Sequence, residues 1–473
     1  MSSQPAPSSA SVAIIGAGVT GLTAAFRLQQ RGVPCVIYEA GERPGGPVHT
    51  TTRDGYVAED GPNTLLETSP KLRQLIRDLG LESECLTSNP AASKRYIVRG
   101  GRLLAVPESL PGWATTPLFS FGAKLGVLAE FLRPRGRTDI EESVADFVRR
   151  RLGTEFLDYA INPFVGGVYA GDPERLSLRE AFPKLMHVEQ RYRSLFVGQF
   201  LGARERRRSG EVPKDRAPKL SFKNGLGSLV SALARKQGDA LELQAPVQAL
   251  RRTATGWQVE FPRAGRMEHR AHSAVLLAAP AHRLATIDLD AGPEASLAWL
   301  GDIHYAAVTV LVLGFARAQV AHALDGFGAL IPAVEKQAIL GCIFNSSLFP
   351  NRAPRDHVTL TCYLGGSRSP ELATAPLETQ LACTREALGR LLGVRGEPTF
   401  IQRCVHQKAI PQYNLGFGDF RARMTRLEQQ APGLRLAGHF RNGIALTDCL
   451  LAGLQIADEM AATQLPTSTP TSA

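Results

Sequence analysis

Three glycines and one acid near the start of the chain are the residues best placed to do chemistry. They stand in Ser11-Val-Ala-Ile-Ile-Gly16-Ala-Gly18-Val-Thr-Gly21-Leu and in Val36-Ile-Tyr-Glu39. The spacing reads as an apolar strand, a tight turn, a helix and a second strand that ends in a carboxylate. In that order Gly16 permits the turn, Gly18 lets backbone N–H groups reach a pyrophosphate, and Gly21 lets the helix lie close to the sheet. The phosphates then rest on a helix N-terminus, where unpaired N–H groups and the dipole favour negative charge. Glu39, 18 residues beyond Gly21, is spaced to accept from ribose hydroxyls. The predicted chemistry is therefore the binding of a dinucleotide. No metal-ligand spacing, catalytic triad or paired carboxylate stands out, so no catalytic residue and no metal site are assigned.

The elements that must position these residues are numerous, because 473 residues exceed one compact core and predict two or three domains. Hydrophobic residues make up 44% and charged residues 21%, ordinary for a globular protein. No run of about 18 apolar residues exists to span a membrane. Met1–Ala10 is rich in Ser, Pro and Ala and lacks a signal peptide's basic start and apolar core, so it reads as a disordered lead-in. The Thr/Ser/Pro tail, 464–473, reads the same way. Seven scattered cysteines suit reduced, buried thiols in a cytoplasmic protein. The net charge of +10 suits an acidic substrate or an anionic lipid surface; no nucleic-acid module is visible.

Strand-like stretches recur late in the chain. Leu241–Leu243, Trp257–Phe261, Ala274–Ala281 and Leu434–Gly438 follow the first unit, and Phe222-Lys-Asn-Gly225-Leu-Gly227 reads as a loop opening a helix. The dinucleotide fold is thus expected in three pieces with other domains inserted. From Pro117 to Pro218 the pattern is helical; Thr138-x-x-Glu141 resembles a capping box before Val144, Phe147, Val148 and Leu152. The run Arg204–Arg208 reads as an exposed loop, with contact to anionic lipid as its functional alternative. From Asp302 to Arg403, Ala307–Leu313 and Val358–Leu364 are rich in β-branched residues and predict a mostly antiparallel sheet.

Arg43-Pro-Gly45-Gly46, directly after the acid, looks like the flavoprotein extension of the amine oxidase superfamily, which holds FAD. Glu59-Asp-Gly61-Pro62-Asn63, Lys94-Arg95-Tyr96, Gly167-Val-Tyr-Ala-Gly171-Asp172 and Glu189-Gln-Arg-Tyr-Arg-Ser194 follow. Asp325-Gly-Phe-Gly-Ala-Leu330-Ile-Pro332, Leu364-Gly-Gly-Ser367, Ile410-Pro-Gln-Tyr-Asn-Leu-Gly416 and Thr447-Asp-Cys449 complete the set. On these pieces the chain resembles the oxygen-dependent, FAD-containing porphyrinogen oxidases across nearly its whole length.

The resemblance implies oxidation of protoporphyrinogen IX to protoporphyrin IX in haem biosynthesis. It would run in three two-electron steps, with oxygen as acceptor and hydrogen peroxide as product. It places Arg95 at the cavity mouth against a propionate, for which a planar guanidinium fork is suited. Leu330, Ile343 and Tyr363 would sandwich the tetrapyrrole, and the carbonyl of Gly167 would face the pyrrole N–H groups. For FAD it implies Gly16, Gly18, Val19, Thr20, Gly21, Glu39, Ala40, Arg43, Gly45, Gly46, Gly61, Pro62, Asn63, Val247, Gly438, Ile444, Ala445 and Leu446. Thr447 or Asp448 would cap a final helix, Cys449–Ala462, aimed at the flavin's pyrimidine edge. Three positions depart from the family pattern: Thr447 where Asn is common, Ala445 in a glycine-rich stretch, and Pro47 after the glycine pair. Coproporphyrinogen III, with four carboxylates, is the competing substrate. A flavin- or tetrapyrrole-binding protein without turnover is the competing class.

The expected architecture is α/β plus α+β: a discontinuous Rossmann-type FAD-binding domain, an antiparallel-sheet substrate domain and a helical insert. FAD-binding parts are expected at 11–95, 219–285 and 405–463, substrate parts at 96–116 and 286–404, and the insert, a candidate for membrane association, at 117–218. The expected partners are the porphyrinogen and oxygen. Peripheral contact with an anionic membrane on its inner face, a homodimer and hand-over to a chelatase are further expectations.

Overall fold

The structure is a computed structural model that describes residues 11–136, 140–195, 217–292 and 295–464. Three distant stretches of chain build one five-stranded sheet, in the order Leu241–Glu242, Cys35–Tyr38, Val12–Ile15, Ala274–Leu277, Leu434–Leu436. All its strand pairs are parallel. Val12–Ile15 and Ala274–Leu277 are buried at every position, as their unbroken apolar runs require of strands covered on both faces. On one face Val12, Ile14, Ile37 and Leu276 pack with Leu22, Leu229 and Leu450 from three helices, Val19–Gln30, Gly227–Gln237 and Leu446–Gln464. On the other, Ala13, Ile15, Val275 and Leu277 meet Trp257, Val259 and Phe261 of a four-stranded sheet.

A seven-stranded sheet lies beside this unit, in the order Phe400–Pro411, Tyr305–Ala316, His357–Gly365, Ile339–Phe344, Gly326–Leu330, Lys94–Arg99, Arg102–Ala105. It is antiparallel as expected, except that Gly326–Leu330 and Lys94–Arg99 run parallel. The strand Lys94–Arg99 comes from the N-terminal stretch and forms a hairpin with Arg102–Ala105, so no hairpin joins it to its parallel neighbour Gly326–Leu330. One face of this sheet is sealed by Leu377–Leu392, whose Ala387, Leu388 and Leu392 pack on Val98, Ala329, Cys342, Phe344 and Cys362.

Several expected boundaries move. The cuts after residues 95 and 404 fall inside strands Lys94–Arg99 and Phe400–Pro411, which belong whole to the seven-stranded sheet. The cut after 285 divides a four-stranded sheet whose last strand is Asp288–Asp290. Periodicity cannot reveal which sheet a strand joins, and these cuts missed for that reason.

Between 117 and 218 the described residues are helical, including Phe121–Leu128, Val144–Arg151, Asn162–Tyr169 and Pro183–Tyr192. A buried pair inside this region joins Arg151 to Glu130, and Ser194 Oγ also donates to Glu130 at 2.6 Å. Helix Val144–Arg151 is capped by Ser143, whose Oγ accepts from Asp146 N at 3.0 Å. The expected box fails because the helix starts beyond Glu141; Thr138 lies outside the described residues, as does Arg204–Arg208. The final helix runs Leu446–Gln464, longer at both ends than expected, so Gln464 is helical and 465–473 lie outside the description with Met1–Ala10. No disulfide joins any of the seven cysteines; Cys35, Cys342, Cys362 and Cys449 are buried, whereas Cys85, Cys383 and Cys404 are half-buried.

Candidate functional site

The glycine turn has the geometry its spacing predicts. Gly16 takes φ +107°, a conformation costly for any residue with a Cβ. A Cβ on Gly21 would lie 2.1 Å from Gly16 O, so only glycine lets the helix sit this close. At Gly18 a Cβ would meet no protein atom within 4 Å. The protein's own packing therefore does not demand glycine there, and the open space is what a pyrophosphate would fill. Helix Val19–Gln30 starts without a side-chain cap and without an acid in its first turn, which leaves its N–H groups and dipole for an external anion. Val19 and Thr20 are buried in that turn.

Glu39 closes the same site. Its Oε2 accepts from Ala17 N at 2.7 Å and its Oε1 from Gly41 N at 2.8 Å. A carboxylate has about four lone-pair sites, so acceptor capacity remains for ribose hydroxyls. Ala40, Arg43 and Gly46 are exposed beside it. The two paired glycines differ: Gly45 N donates to Ala17 O at 2.8 Å and a Cβ there would strike Val230, whereas Gly46 is open. Gly61 packs on Pro47 O, 2.4 Å from where its Cβ would be, and Pro62 follows it. Val247 and Ile444 are half-buried against the same core.

The C-terminal segment reaches the sheet's carboxyl end, where α/β folds bind ligands. Gly438 and Gly443 have φ +134° and +121°. Leu446 opens the helix, and Cys449 N bonds Ala445 O at 3.1 Å. Neither Thr447 nor Asp448 is the cap, because both lie inside the first turn. Thr447 Oγ1 instead donates to Leu66 O at 2.8 Å and accepts from Leu66 N at 3.2 Å. That staple explains a threonine in place of the family's asparagine.

The residues that the resemblance assigns to substrate converge on one face of the seven-stranded sheet. Gly328 pairs with Arg95 and Ile343, and Ile343 with Thr361; one row along, Leu330 pairs with Ile97 and Gly341, and Gly341 with Tyr363. Residues paired directly, or two apart along a strand, share a face. Arg95, Leu330, Ile343 and Tyr363 therefore point to the side opposite the sealing helix. Arg95 is exposed, and the other three are half-buried. Gly167 lies over them on helix Asn162–Tyr169; a Cβ there would fall 2.4 Å from Leu330 Cδ2. Beside Arg95, Lys94 and Tyr96 both bond Asp325, and the Lys94 and Tyr96 hydrogen bonds hold its carboxyl down to about 2.

Polar contacts join the two halves. Asn63 Nδ2 donates to Tyr363 Oη at 2.5 Å, and Asn345 Nδ2 donates to Asn63 Oδ1. Burial pushes the Tyr363 hydroxyl well above its usual range. Nearby, burial raises the Glu59 carboxyl to about 7 even though Thr50 Oγ1 and Leu226 N donate to it at 2.7 and 2.8 Å.

Sequence reasoning missed Asn345 and the glycines Gly328 and Gly341, which keep side chains out of the rows between Arg95, Leu330, Ile343 and Tyr363. Glycine inside an otherwise strand-like run was the available signal.

The fold and the site define a flavoprotein oxidoreductase. Residues 19–461 match the family described as flavin containing amine oxidoreductase, and the chain belongs to that family; its cofactor is FAD. Within it the similarity is to porphyrinogen oxidases. The chain is 32% identical over 472 residues to protoporphyrinogen oxidase 2, chloroplastic/mitochondrial, of Arabidopsis thaliana, covering 94% of this chain and 93% of that one. It is 28% identical to coproporphyrinogen III oxidase of Bacillus subtilis (strain 168), over 93% and 96% of the two chains. A solved protein of Exiguobacterium sp. 255-15 shares the fold with TM-score 0.79 at 24% identity, over 98% of this chain and all of that one.

Proposed function

We propose that this protein oxidises protoporphyrinogen IX to protoporphyrin IX in haem biosynthesis, with oxygen as the final acceptor. FAD, when bound, would supply the two-electron redox chemistry, with oxygen as the final acceptor and hydrogen peroxide as the product. The protein's task is placement. Gly16, Gly18, Gly21 and Glu39 would hold the dinucleotide, and the dipole at the start of helix Leu446–Gln464 would favour the negative charge of the reduced cofactor. Leu330, Ile343 and Tyr363 form an apolar bed for the macrocycle, Gly167 O accepts from pyrrole N–H groups, and Arg95 takes a propionate at the exposed edge.

The observation that carries this reading is the gathering of Arg95, Leu330, Ile343 and Tyr363, from four separate strands, on one open sheet face opposite Gly167. The experiment supplies the purified protein with protoporphyrinogen IX and coproporphyrinogen III separately, in air, and follows porphyrin fluorescence. A higher kcat/KM for protoporphyrinogen IX is expected. A higher value for coproporphyrinogen III moves the chain to the tetracarboxylate substrate, and activity on neither, with FAD bound, overturns the oxidase reading.

Peripheral membrane contact through the helical region is part of the same proposal. Phe121, Leu128 and Leu132 are 76%, 60% and 70% exposed, with Leu110, Leu125 and Phe131 around them and exposed Arg135 alongside. Apolar clusters of this kind, rimmed by basic groups, suit an anionic interface. No described helix is long and apolar enough to cross a membrane. The cytoplasmic setting, a homodimer and hand-over to a chelatase are carried forward with this reading; sedimentation with anionic vesicles tests the membrane part.

A further inference from the structure

Two sequence motifs with no task in the substrate assignments meet behind the site. Helix Asn162–Tyr169, which holds Gly167 over Leu330, is pinned at both ends. At its start, Asn162 Oδ1 accepts from Ala333 N at 2.8 Å. At its end, Tyr169 O accepts from Gln412 Nε2 and Ala170 O from Ser367 N, at 2.8 and 2.7 Å. Gln412 is 2% exposed and spends its other Nε2 bond on Ile410 O at 3.0 Å.

The next residue reaches the opposite way. Tyr413, equally buried, donates its hydroxyl to His439 O and accepts from Gly443 N at 3.1 Å. Those two groups are the opposite sides of the turn from Gly438 to Gly443, which leads into helix Leu446–Gln464. The Tyr413 ring is held by Phe417 at 4.6 Å, Tyr169 at 6.3 Å and the Arg421 guanidinium at 5.2 Å. Its hydroxyl thus uses both donor and acceptor on backbone groups of one turn, from a ring that cannot easily move. Neighbouring side chains in Ile410-Pro-Gln-Tyr413 therefore bind the substrate-side helix and the cofactor-side turn to a single strand end.

We propose that Tyr413 is a positioning residue for the flavin-binding turn, and Gln412 a positioning residue for the helix that presents Gly167 to the porphyrinogen. The inference rests on the function proposed above. Removing the Tyr413 hydroxyl takes away the partner of a half-buried carbonyl, that of His439, and of a half-buried N–H, that of Gly443, and the turn relaxes away from the geometry its two left-handed glycines impose. Losing the Gln412 amide frees the end of the Gly167 helix and leaves the turn intact.

The test compares Tyr413→Phe and Gln412→Leu with Tyr56→Phe, a buried tyrosine bonded to Thr399 Oγ1 at 2.8 Å in a different part of the sheet. Measured are thermal unfolding, Kd for FAD, the flavin midpoint potential, Kd for protoporphyrin IX from its emission, and steady-state constants. Tyr413→Phe should weaken FAD binding about tenfold and shift the potential, with porphyrin affinity held. Gln412→Leu should weaken porphyrin binding and raise KM about tenfold, with FAD affinity and potential held. Tyr56→Phe should lower thermal stability by about as much as one lost hydrogen bond and leave both Kd values, the potential and the steady-state constants unchanged. Wild-type FAD affinity and potential in Tyr413→Phe, or a parallel fall in every quantity in all three variants, overturns the proposal. If the wild type binds FAD but oxidises neither porphyrinogen, the function fails separately, while the FAD measurements still decide Tyr413.

Discussion

The parallel sheet of the dinucleotide fold and the seven-stranded sheet that carries the proposed substrate face solve the same problem by different means. The first is specified by backbone: Gly16 must turn, Gly21 must leave room, and Glu39 must hold the N–H groups of Ala17 and Gly41. The second is specified by face: apolar side chains from separate strands become a site only because direct pairing and the two-residue repeat put them on one side. A backbone-coded site is intolerant of any added atom. A face-coded site tolerates exchange of side chains and can change its substrate while keeping its fold.

Substitutions should separate the two regions cleanly. Gly21→Ala places a methyl within the backbone of the turn, and a loss of about 3 kcal/mol or more in denaturant unfolding is expected, with FAD lost together with the fold. A soluble Gly21→Ala protein that unfolds like the wild type would break the comparison. In contrast, Gly18→Ala should leave unfolding unchanged and weaken FAD binding alone, because its Cβ meets only ligand space.

Glu59 sharpens the cofactor side through pH. Its folded carboxyl titrates at about 7 against 4.5 unperturbed, so the folded state binds the extra proton between those values. The stability it contributes is fully present below pH 4.5 and lost as pH rises through 7. Glu59→Gln should therefore gain on the wild type over that window, by on the order of 2 kcal/mol, measured as unfolding free energy against pH. A difference that does not change with pH would show that Glu59 is ionised throughout.

On the substrate side the effects should appear in kinetics instead. Arg95→Ala is expected to raise KM about tenfold with kcat nearly held, the mark of lost uniform binding, and Arg95→Lys to recover part of it. The smallest effect is assigned to Tyr363→Phe. It removes one bond to Asn63, which keeps a second to Gly61 O at 3.2 Å, for about 1 kcal/mol of stability. An equal loss of FAD affinity in Arg95→Ala would blur the division between the regions.

The same contrast explains what the sequence disclosed. Gly16, Gly21 and Glu39 were legible because local geometry within one strand–turn–helix–strand run demands each, and Gly18 because a pyrophosphate needs the open space beside it. The three-piece origin of the parallel sheet was legible from its late apolar strands. Arg95, Leu330, Ile343 and Tyr363 carry no such local mark; alone they read as strand residues, and only the family resemblance singled them out. The helix cap failed where tertiary contact outweighed propensity, since Leu66 claims the Thr447 hydroxyl. Gly341 stayed hidden because its meaning lies in its strand neighbours Leu330 and Tyr363, and Asn345 because its partner Asn63 is 282 residues away in chain.

The stitching of the parallel sheet from Val12–Ile15, Ala274–Leu277 and Leu434–Leu436 also sets a timetable for biosynthesis. As the ribosome releases the chain, the first strand, central in the sheet, pairs early with Cys35–Tyr38 but waits for its second neighbour until residue 274 has emerged, and the strand at the far edge comes later still. Until then the nascent chain carries open strand edges, the kind of surface on which chaperones act and aggregates begin. A chain stopped before Leu434 lacks both the last strand of the parallel sheet and the helix Leu446–Gln464 that packs on it, so the cofactor fold stays incomplete until those residues are made.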